Sequence, residues 1–281
     1  MDEALEFFAF FGGIEKGTEI ELFDDVEEVL RHQLLLDIDR YTAMISPSYL
    51  LEAPYRKFLI ATAQGDGKLL NVCRRAGVHE ATGRELLSEL IALETVSLEA
   101  SRETPLKEHP KQKLKKNLRH YRIQPKVRFR SPFYRFWFGF VEPYREHIVR
   151  GETEAFLRNF SQHQDRCASL SFEQLSNDLL ADFFAEEDPL TSRGSFWDRY
   201  SEFDLLSISR SGKIILGECK FRGRKVCKSE LNKLREKALH SAIPVDSYVL
   251  FSRSGFSNEL LQSRGEDLLL FEAEDFKRLL S

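Results

Sequence analysis

The sequence is poor in cysteine and has no paired cysteine motif. Its four cysteines never occur as C-x-x-C, which excludes the usual structural zinc sites and redox dithiols. Free thiols without a disulfide framework are typical of a reducing cytosol. We therefore expect a cytoplasmic protein.

Long hydrophobic runs and a nucleotide-binding loop are also missing. The most apolar stretch, residues 133–141, is interrupted by Arg135 and is too short to span a bilayer. The opening residues, MDEALEFF, are acidic, whereas a secretory signal begins with basic residues. No G-x-x-x-x-G-K followed by Ser or Thr occurs, so the loop that holds ATP phosphates is absent. We expect no membrane partner, no ATP cofactor and no ATPase activity.

Charge is abundant but unevenly distributed. The 281 residues have a formal net charge of −4. Residues 1–50 carry 12 acidic and 3 basic side chains, a net of −9, whereas residues 101–150 carry 4 acidic and 14 basic ones, a net of +10. A basic stretch of this density attracts polyanions such as nucleic acid. The alternative is a solvated connector whose charges repel one another.

The first 50 residues predict an acidic helical segment. Apolar residues recur at helical spacing along one face, at Val26, Leu30, Leu34 and Ile38. No residue pattern in this segment indicates chemistry.

Residues 51–130 predict a winged helix. The predicted elements are helices at 54–64, 68–76 and 80–93, a strand from 95 to 98, a wing at 101–120 and a return strand near 121–123. Three short helices followed by a hairpin are typical of this DNA-binding fold. A protein–protein module is the alternative interpretation.

The predicted recognition helix is not cationic, since Glu80, Glu85 and Glu89 outnumber Arg84 and the neighbouring His79. DNA contact would therefore depend on the wing and the linker after it. The candidate nucleic-acid-binding residues there are Lys111, Lys113, Lys115, Lys116, Arg119, Arg122, Lys126, Arg128 and Arg130.

Residues 131–150 form a predicted aromatic connector helix, SPFYRFWFGFVEPYREHIVR. Aromatic rings interleaved with arginine can stack on bases. Clusters of this kind more often fill a hydrophobic core, and we favour that interpretation.

Residues 151–281 alternate helices and strands. We predict helices at 152–160, 171–185, 229–241 and 258–263, and strands at 202–209, 213–221, 247–252 and 268–271. The chain as a whole is therefore α+β or α/β, with a small mixed sheet flanked by helices after the N-terminal helical region.

The chemistry-bearing stretch is SEFDLLSISRSGKIILGECKF, residues 201–221. A three-residue loop over 210–212 with a left-handed glycine would pair Ser209 with Lys213. Continued along the hairpin, that register sets Asp204 opposite Glu218, with Cβ atoms about 4.5–5.5 Å apart. Lys220 lies two residues further on and shares the face of Glu218. A two-residue loop would shift the register and destroy this arrangement.

Two close carboxylates repel each other unless a cation lies between them. Oxygen ligands suit Mg²⁺, which binds substrate phosphates and activates water, and a neighbouring lysine can neutralise a developing oxyanion. The alternative is a solvated strand face with a weak ion pair. The apolar residues Ile214, Ile215 and Leu216 argue against it, because they are typical of a central strand buried on both sides, where charges are costly.

These motifs resemble the PD-(D/E)xK nuclease superfamily, and more specifically the C-terminal half of the archaeal-type AAA+ (STAND-like) ATPases. The hairpin motifs are Glu202-x-Asp204 and GECK at 217–220. The aromatic connector and the segments FFAFFGGIEKG, FEQL, EFDLL, GECKF and SYVLFSRSGFSNEL are similar to successive parts of that half. The resemblance covers most of the chain and implies a winged helix followed by a restriction-endonuclease-like domain, without the ATPase domain.

The resemblance also implies residue roles. Asp204 and Glu218 would be metal ligands, Lys220 the catalytic lysine, and Glu173 in FEQL a further acidic ligand beside the metal. Glu202 matches the acid before the key aspartate, with an open role.

We expect a Mg²⁺- or Mn²⁺-dependent deoxyribonuclease that binds DNA, with a homodimer or another protein as a further possible partner. Two other functions stay open. The first is a nucleic-acid- or protein-binding module without catalysis. The second is a regulatory fragment that works with a separate ATPase.

Overall fold

The computed structural model describes residues 2–14, 25–105, 109 and 111–280. The chain groups into two compact units, one made of residues 1–99 and 125–171 and the other of residues 100–124 and 172–281. The predicted wing, 101–120, therefore belongs to the second unit and not to the unit of the winged helix. Residues 15–17 of FFAFFGGIEKG lie outside the described part.

The first unit begins with short helices. Its elements are α1 (Asp2–Phe11), α2 (Val26–Val29), a π-helical turn (Leu30–Leu34), α3 (Ile38–Thr42) and a 3-10 turn (Ser48–Leu51). Asp25 caps α2, since its carboxylate accepts the backbone N–H of Glu28 at 2.9 Å. The predicted apolar stripe is buried from Val26 to Ile38, which confirms the periodicity read from the sequence.

The predicted helix-turn-helix is present in the same unit. It comprises α4 (Tyr55–Gln64), α5 (Leu69–Ala76) and α6 (Glu80–Ala92), followed by antiparallel strands β1 (Val96–Glu99) and β2 (Lys126–Phe129). Gly77 ends α5 in the left-handed conformation, with φ of +70°.

The return strand lies at Lys126–Phe129, so the prediction of 121–123 is wrong. Val127 and Phe129 are buried, and the strand pairs with β1 from Val96↔Phe129 to Glu99↔Lys126. Tyr121 is instead tied to Glu103, its hydroxyl donating to a carboxylate oxygen at 2.6 Å. The alternation of charged and apolar residues in KVRF was the signal in the sequence, and it begins only at residue 126.

The aromatic connector forms α7 (Pro132–Phe136), a π-helical turn (Trp137–Val141), a 3-10 turn (Glu142–Tyr144) and α8 (Arg145–Val149). Phe133, Phe136, Trp137 and Phe138 are almost fully buried. This confirms the interpretation of the segment as core, since buried rings cannot stack on bases.

One long helix, α9 (Glu154–Phe183), runs through both residue groups. Two helices were predicted here, at 152–160 and 171–185, and that division is wrong. The polar stretch between them, SQHQDR, contains neither glycine nor proline, so nothing in the backbone interrupts the helix.

The second unit is built on a five-stranded sheet. Its strands, in spatial order, are β3 (Leu190–Ser192), β6 (Leu205–Ser209), β7 (Ile214–Lys220), β8 (Ser247–Ser252) and β9 (Leu268–Glu272). The first two pairings are antiparallel and the last two parallel, so β7 is central. A separate ribbon joins β4 (Phe196–Trp197) to β5 (Glu202–Phe203). The remaining elements are α10 (Lys228–His240), α11 (Asn258–Gln262) and a terminal 3-10 segment (Ala273–Leu280).

Helices flank the sheet on both faces. On one face Leu216 and Leu250 join a buried cluster with Leu231 and Leu234 of α10. On the other face Phe172 of α9 packs against Phe221, which directly follows β7. The fold is thus the predicted mixed sheet flanked by helices. Within the described ranges, no helix has the length and apolar character needed to cross a membrane.

Candidate active site

The site is built by the β6–β7 hairpin, whose register agrees with the prediction. The backbone N–H of Ser209 donates to the carbonyl of Lys213 at 3.0 Å, and Gly212 has φ of +89°. Leu205 pairs with Gly217 and Ile208 with Ile214. The three-residue loop, with glycine in the left-handed region, therefore sets which residues face each other at the far end of the hairpin.

Close packing at the far end of the hairpin requires a glycine. A Cβ atom on Gly217 would lie 2.7 Å from Cγ1 of Val249 and 3.1 Å from Cβ of Leu205. Neither is the free end of a flexible chain, so β6 and β8 approach β7 closely only because position 217 has no side chain. This approach brings Asp204, one residue before β6, against the backbone of β7.

Asp204 lies in the bend between β5 and β6, and its carboxylate accepts the backbone N–H of Cys219 at 2.7 Å. Burial is the main cause that raises the pKa of Asp204 to about 7, and the carboxylate of Glu218 adds to the rise. The hydrogen bond from Cys219, together with Lys220 and Lys237, acts in the opposite direction. Asp204 and Glu218 thus lie close enough to disfavour each other's charge.

Glu218 lies on the central strand with a side chain that is 13% exposed. Its Oε1 accepts a short hydrogen bond from Nζ of Lys220, two residues along the same face. Its Oε2 is buried and accepts no hydrogen bond from the residues that the structure describes. Burial alone would lower the pKa of Lys220, but the neighbouring carboxylates, Glu218 first, raise it, so this ammonium is firmly protonated.

Lys237 is a second lysine at the site, and the sequence interpretation missed it. From α10 its Nζ lies 3.5 Å from Oε2 of Glu218 and 5.9 Å from the ring centre of Phe203. Glu230 lies on the same helix, seven residues before Lys237. It also interacts electrostatically with Lys220. A spacing of two helical turns places both on one side of α10, and this is the signal in the sequence that could have found them.

Glu173 is placed differently from the other predicted ligands. It lies on α9, and burial first, then Asp204, Glu173 and Glu218, raise the pKa of the buried Cys219 thiol. Among the described residues, no three His, Cys, Asp or Glu side chains form a group that could hold a metal ion. The pair Asp204 and Glu218 is brought together, and the predicted set of three is not.

The predicted nucleic-acid-binding residues divide into three kinds. Lys126 is buried, with 1% exposure, so its prediction as a phosphate contact is wrong; it lies between Glu99 of β1 and Lys68, and its backbone pairs with both. Arg128 is half-buried and its Nε donates to Glu99 at 3.0 Å, which occupies its guanidinium. The exposed members are Lys111, Lys113, Lys115, Lys116, Arg119, Arg122 and Arg130.

Except for Arg130, those exposed residues belong to the segment 100–124, which is anchored on the second unit. Arg102 donates to the backbone carbonyls of Gly194 and Ser195 at 3.0 Å and of Leu206 at 2.8 Å. At the other end Nε1 of Trp197 donates to the carbonyl of Gln124 at 3.0 Å. The basic segment and the carboxylate pair are therefore parts of one compact unit.

The predicted recognition helix, α6, has the acidic character expected from the sequence. Glu80 of α6 pairs with Arg84 at 2.7 Å. Glu89 accepts hydrogen bonds from the hydroxyls of Tyr49 and Tyr55, and these bonds lower its pKa. A carboxylate held ionised on this helix is unfavourable for contact with DNA phosphates.

Residues 137–234 are similar to a family, DUF234, described as archaea bacterial proteins of unknown function. The matched range holds the end of the aromatic connector, α9 and the whole hairpin with Asp204, Glu218 and Lys220. No curated protein and no solved structure matches the chain.

Proposed function

We propose that the second unit is a metal-dependent nuclease that hydrolyses DNA phosphodiesters at Asp204, Glu218 and Lys220. The observation that carries this proposal is a carboxylate pair held together beside a protonated lysine at the end of a central strand. Burial and Glu218 raise the pKa of Asp204 to about 7, so the fold maintains a carboxylate where its charge is unfavourable. Strongly perturbed pKa values cluster at functional sites.

The donor set fits a hard divalent cation. Oε2 of Glu218 is a buried carboxylate oxygen that accepts no hydrogen bond within the described residues, and Asp204 faces it with a second carboxylate. Mg²⁺ retains several waters and needs only one or two protein carboxylates besides substrate phosphates. Asp204 and Glu218 would hold it. When bound, the cation supplies a more acidic water and neutralises charge on the phosphodiester.

The residues of the chain have separable roles in this proposal. Asp204 and Glu218 supply the negative charge that the cation needs. The ammonium of Lys220, fixed by Glu218, lies beside them, where it would stabilise the negative charge that develops on the phosphate. Lys237 limits the repulsion between the two carboxylates, since it is among the groups that lower the pKa of Asp204.

The basic segment would bring the substrate to this unit. Its exposed lysines and arginines attract the phosphate backbone without reading sequence. The acidic α6 argues that the helix-turn-helix binds a protein instead of DNA. Lys111, Lys113, Lys115, Lys116, Arg119 and Arg122 are therefore the proposed DNA contacts.

A cleavage assay tests the proposal directly. Plasmid and single-stranded DNA are incubated with Mg²⁺ or Mn²⁺ and with wild type, Asp204→Asn, Lys220→Met or Lys228→Met. Lys228 is a matched control, because its ammonium pairs with Glu259 at 3.0 Å outside the site. We expect wild type and Lys228→Met to cleave the DNA. Cleavage should be lost in Asp204→Asn and in Lys220→Met, and EDTA should abolish cleavage by every protein.

One observation favours a second function, a binding module without catalysis. Both lysines already compensate Glu218, and no third metal ligand is assembled in the described residues. DNA binding by wild type without cleavage under any metal would support this module and refute the nuclease.

A further inference from the structure

The first unit contains a cavity of about 320 Å³ between α4, the aromatic connector and α9. This volume is at the lower end of the range for small-molecule sites. All its lining residues belong to the residue group 1–99 and 125–171, so the cavity is independent of the carboxylate pair.

Positive charge dominates the described lining. Arg135, Arg166 and His163 line the cavity, and no Asp or Glu is among the lining residues. Arg135 is buried, with 6% exposure, whereas Arg166 and His163 are exposed at the opening. A guanidinium at low solvent exposure attracts an anion much more strongly than a surface one does.

A hydrogen bond to Ser171 helps to hold Arg135 in position. Its Nη1 donates to the hydroxyl of Ser171 at 3.1 Å. It also lies near the buried Cys167 thiol, whose pKa burial raises and Arg135 lowers. Arg166 is fixed at the opening, since its Nη2 donates to the backbone carbonyl of Gly65 at 2.7 Å. Two arginines are thus oriented before any ligand arrives, which reduces the entropy lost on binding.

The remaining wall combines the polar side chains of Gln64 and Asn159 with an apolar part around Phe140. The ring of Phe140 stacks on Phe136 with centroids 6.1 Å apart and meets Phe160 edge-on at 5.6 Å. Phe140 and Gly139 both line the cavity from the π-helical turn of the connector. π-helical turns inside helices are frequent at functional sites, and the missing side chain at Gly139 leaves space beside the ring.

We propose that this cavity binds a small phosphate-bearing molecule of about mononucleotide size, with the phosphate between Arg135 and Arg166 and an organic ring system against Phe140. Arginine matches phosphate oxygens through two parallel hydrogen bonds. A cavity of this volume with a buried cation suits a compact organic phosphate and does not suit a duplex.

The test uses titration calorimetry in EDTA with inorganic phosphate, AMP, adenosine and a short DNA duplex. The variant Arg166→Gln removes an exposed guanidinium, and its folding is checked by thermal unfolding. The matched control Arg158→Gln removes an exposed arginine of the same helix outside the lining. A second control, Asp204→Asn, detects any binding at the carboxylate pair.

We expect phosphate and AMP to bind wild type, with adenosine much weaker. Arg166→Gln should weaken AMP by at least about tenfold, and the two controls should leave its affinity unchanged. Equal binding of AMP and adenosine would overturn the proposal, as would equal AMP affinity in Arg166→Gln and wild type. Binding of the duplex alone, lost in Arg166→Gln, would assign the arginines to a nucleic-acid backbone and refute the small-molecule site.

Discussion

Replacing Asp204 with asparagine removes a carboxylate that the fold holds where its charge is unfavourable. Burial and Glu218 raise its pKa from 3.8 to about 7. Between these two pH values the folded chain binds more protons at this position than the unfolded chain. The free energy of unfolding of the wild type therefore falls as pH rises through this window, and the loss is complete above the folded pKa.

The size of the effect follows from the same shift. A rise from 3.8 to about 7 corresponds to at most about 4 kcal/mol. Asp204 retains partial exposure, so we expect on the order of 2–3 kcal/mol after solvent screening. The asparagine side chain keeps an oxygen for the N–H of Cys219 but has no charge, so Asp204→Asn should be the more stable protein at pH 8 and about equal at pH 4.

Urea unfolding followed by circular dichroism, at several pH values in EDTA, measures this difference. Asp246→Asn is the matched control, because Asp246 also accepts a backbone N–H of β7, that of Ile214 at 2.8 Å, but is exposed at the other end of the strand. Parallel pH dependences for wild type and Asp204→Asn would refute the reasoning. Adding Mg²⁺ should stabilise the wild type at pH 8 and not the variant, since a ligand of the folded state raises its stability.

Three further predictions concern neighbouring features. Lys237→Gln removes a cation that lowers the pKa of Asp204, so the pH dependence of stability should extend to higher pH. Lys233→Gln on the same helix should not cause this shift, and identical titrations of the two variants would contradict the role of Lys237. Replacing both Lys113 and Lys115 with alanine should weaken DNA binding at every sequence and reduce the salt slope of the affinity by about 2, measured by fluorescence anisotropy. An unchanged slope would exclude these lysines, and Lys213→Ala is the control on an exposed hairpin loop. Gly217→Ala should cost about 1–3 kcal/mol of unfolding free energy because its Cβ would lie 2.7 Å from Val249. Gly223→Ala, with nothing within 4 Å, should be nearly neutral in the same denaturation experiment.

The parts of the fold that the sequence predicted correctly are those with strong local signals. Gly212 sets the hairpin loop, and the register of β6 on β7 follows from it. The buried character of Ile215 and Leu216 predicted a central strand, and β7 is central. Such features depend on neighbours along the chain, so a pattern within a few residues is sufficient.

The errors arise where distant contacts decide. Lys126 reads as one more cation in a basic stretch, but it is buried between β1 and Lys68, which is 58 residues away in the sequence. The segment 100–124 reads as a wing, but Arg102 anchors it to carbonyls about 90 residues away in the sequence. Lys237 joined the site only through the packing of α10 on the sheet. Of these residues only Lys237 leaves a local pattern, its spacing of seven residues from Glu230; the other contacts join segments far apart in the sequence.

The loop Arg210–Gly212 lies at the opposite end of the hairpin from the carboxylates, yet it sets their alignment. Inserting one residue into an exposed loop is usually tolerated. Here an insertion absorbed by slippage of β6 would turn every side chain of that strand to the other face. Asp204 would then no longer lie opposite Glu218. The apolar residues of β6 would replace one another at the core positions, so the core itself would not prevent the slippage. The length of this short loop is therefore under the same constraint as the acidic residues themselves, although no atom of the loop belongs to the site.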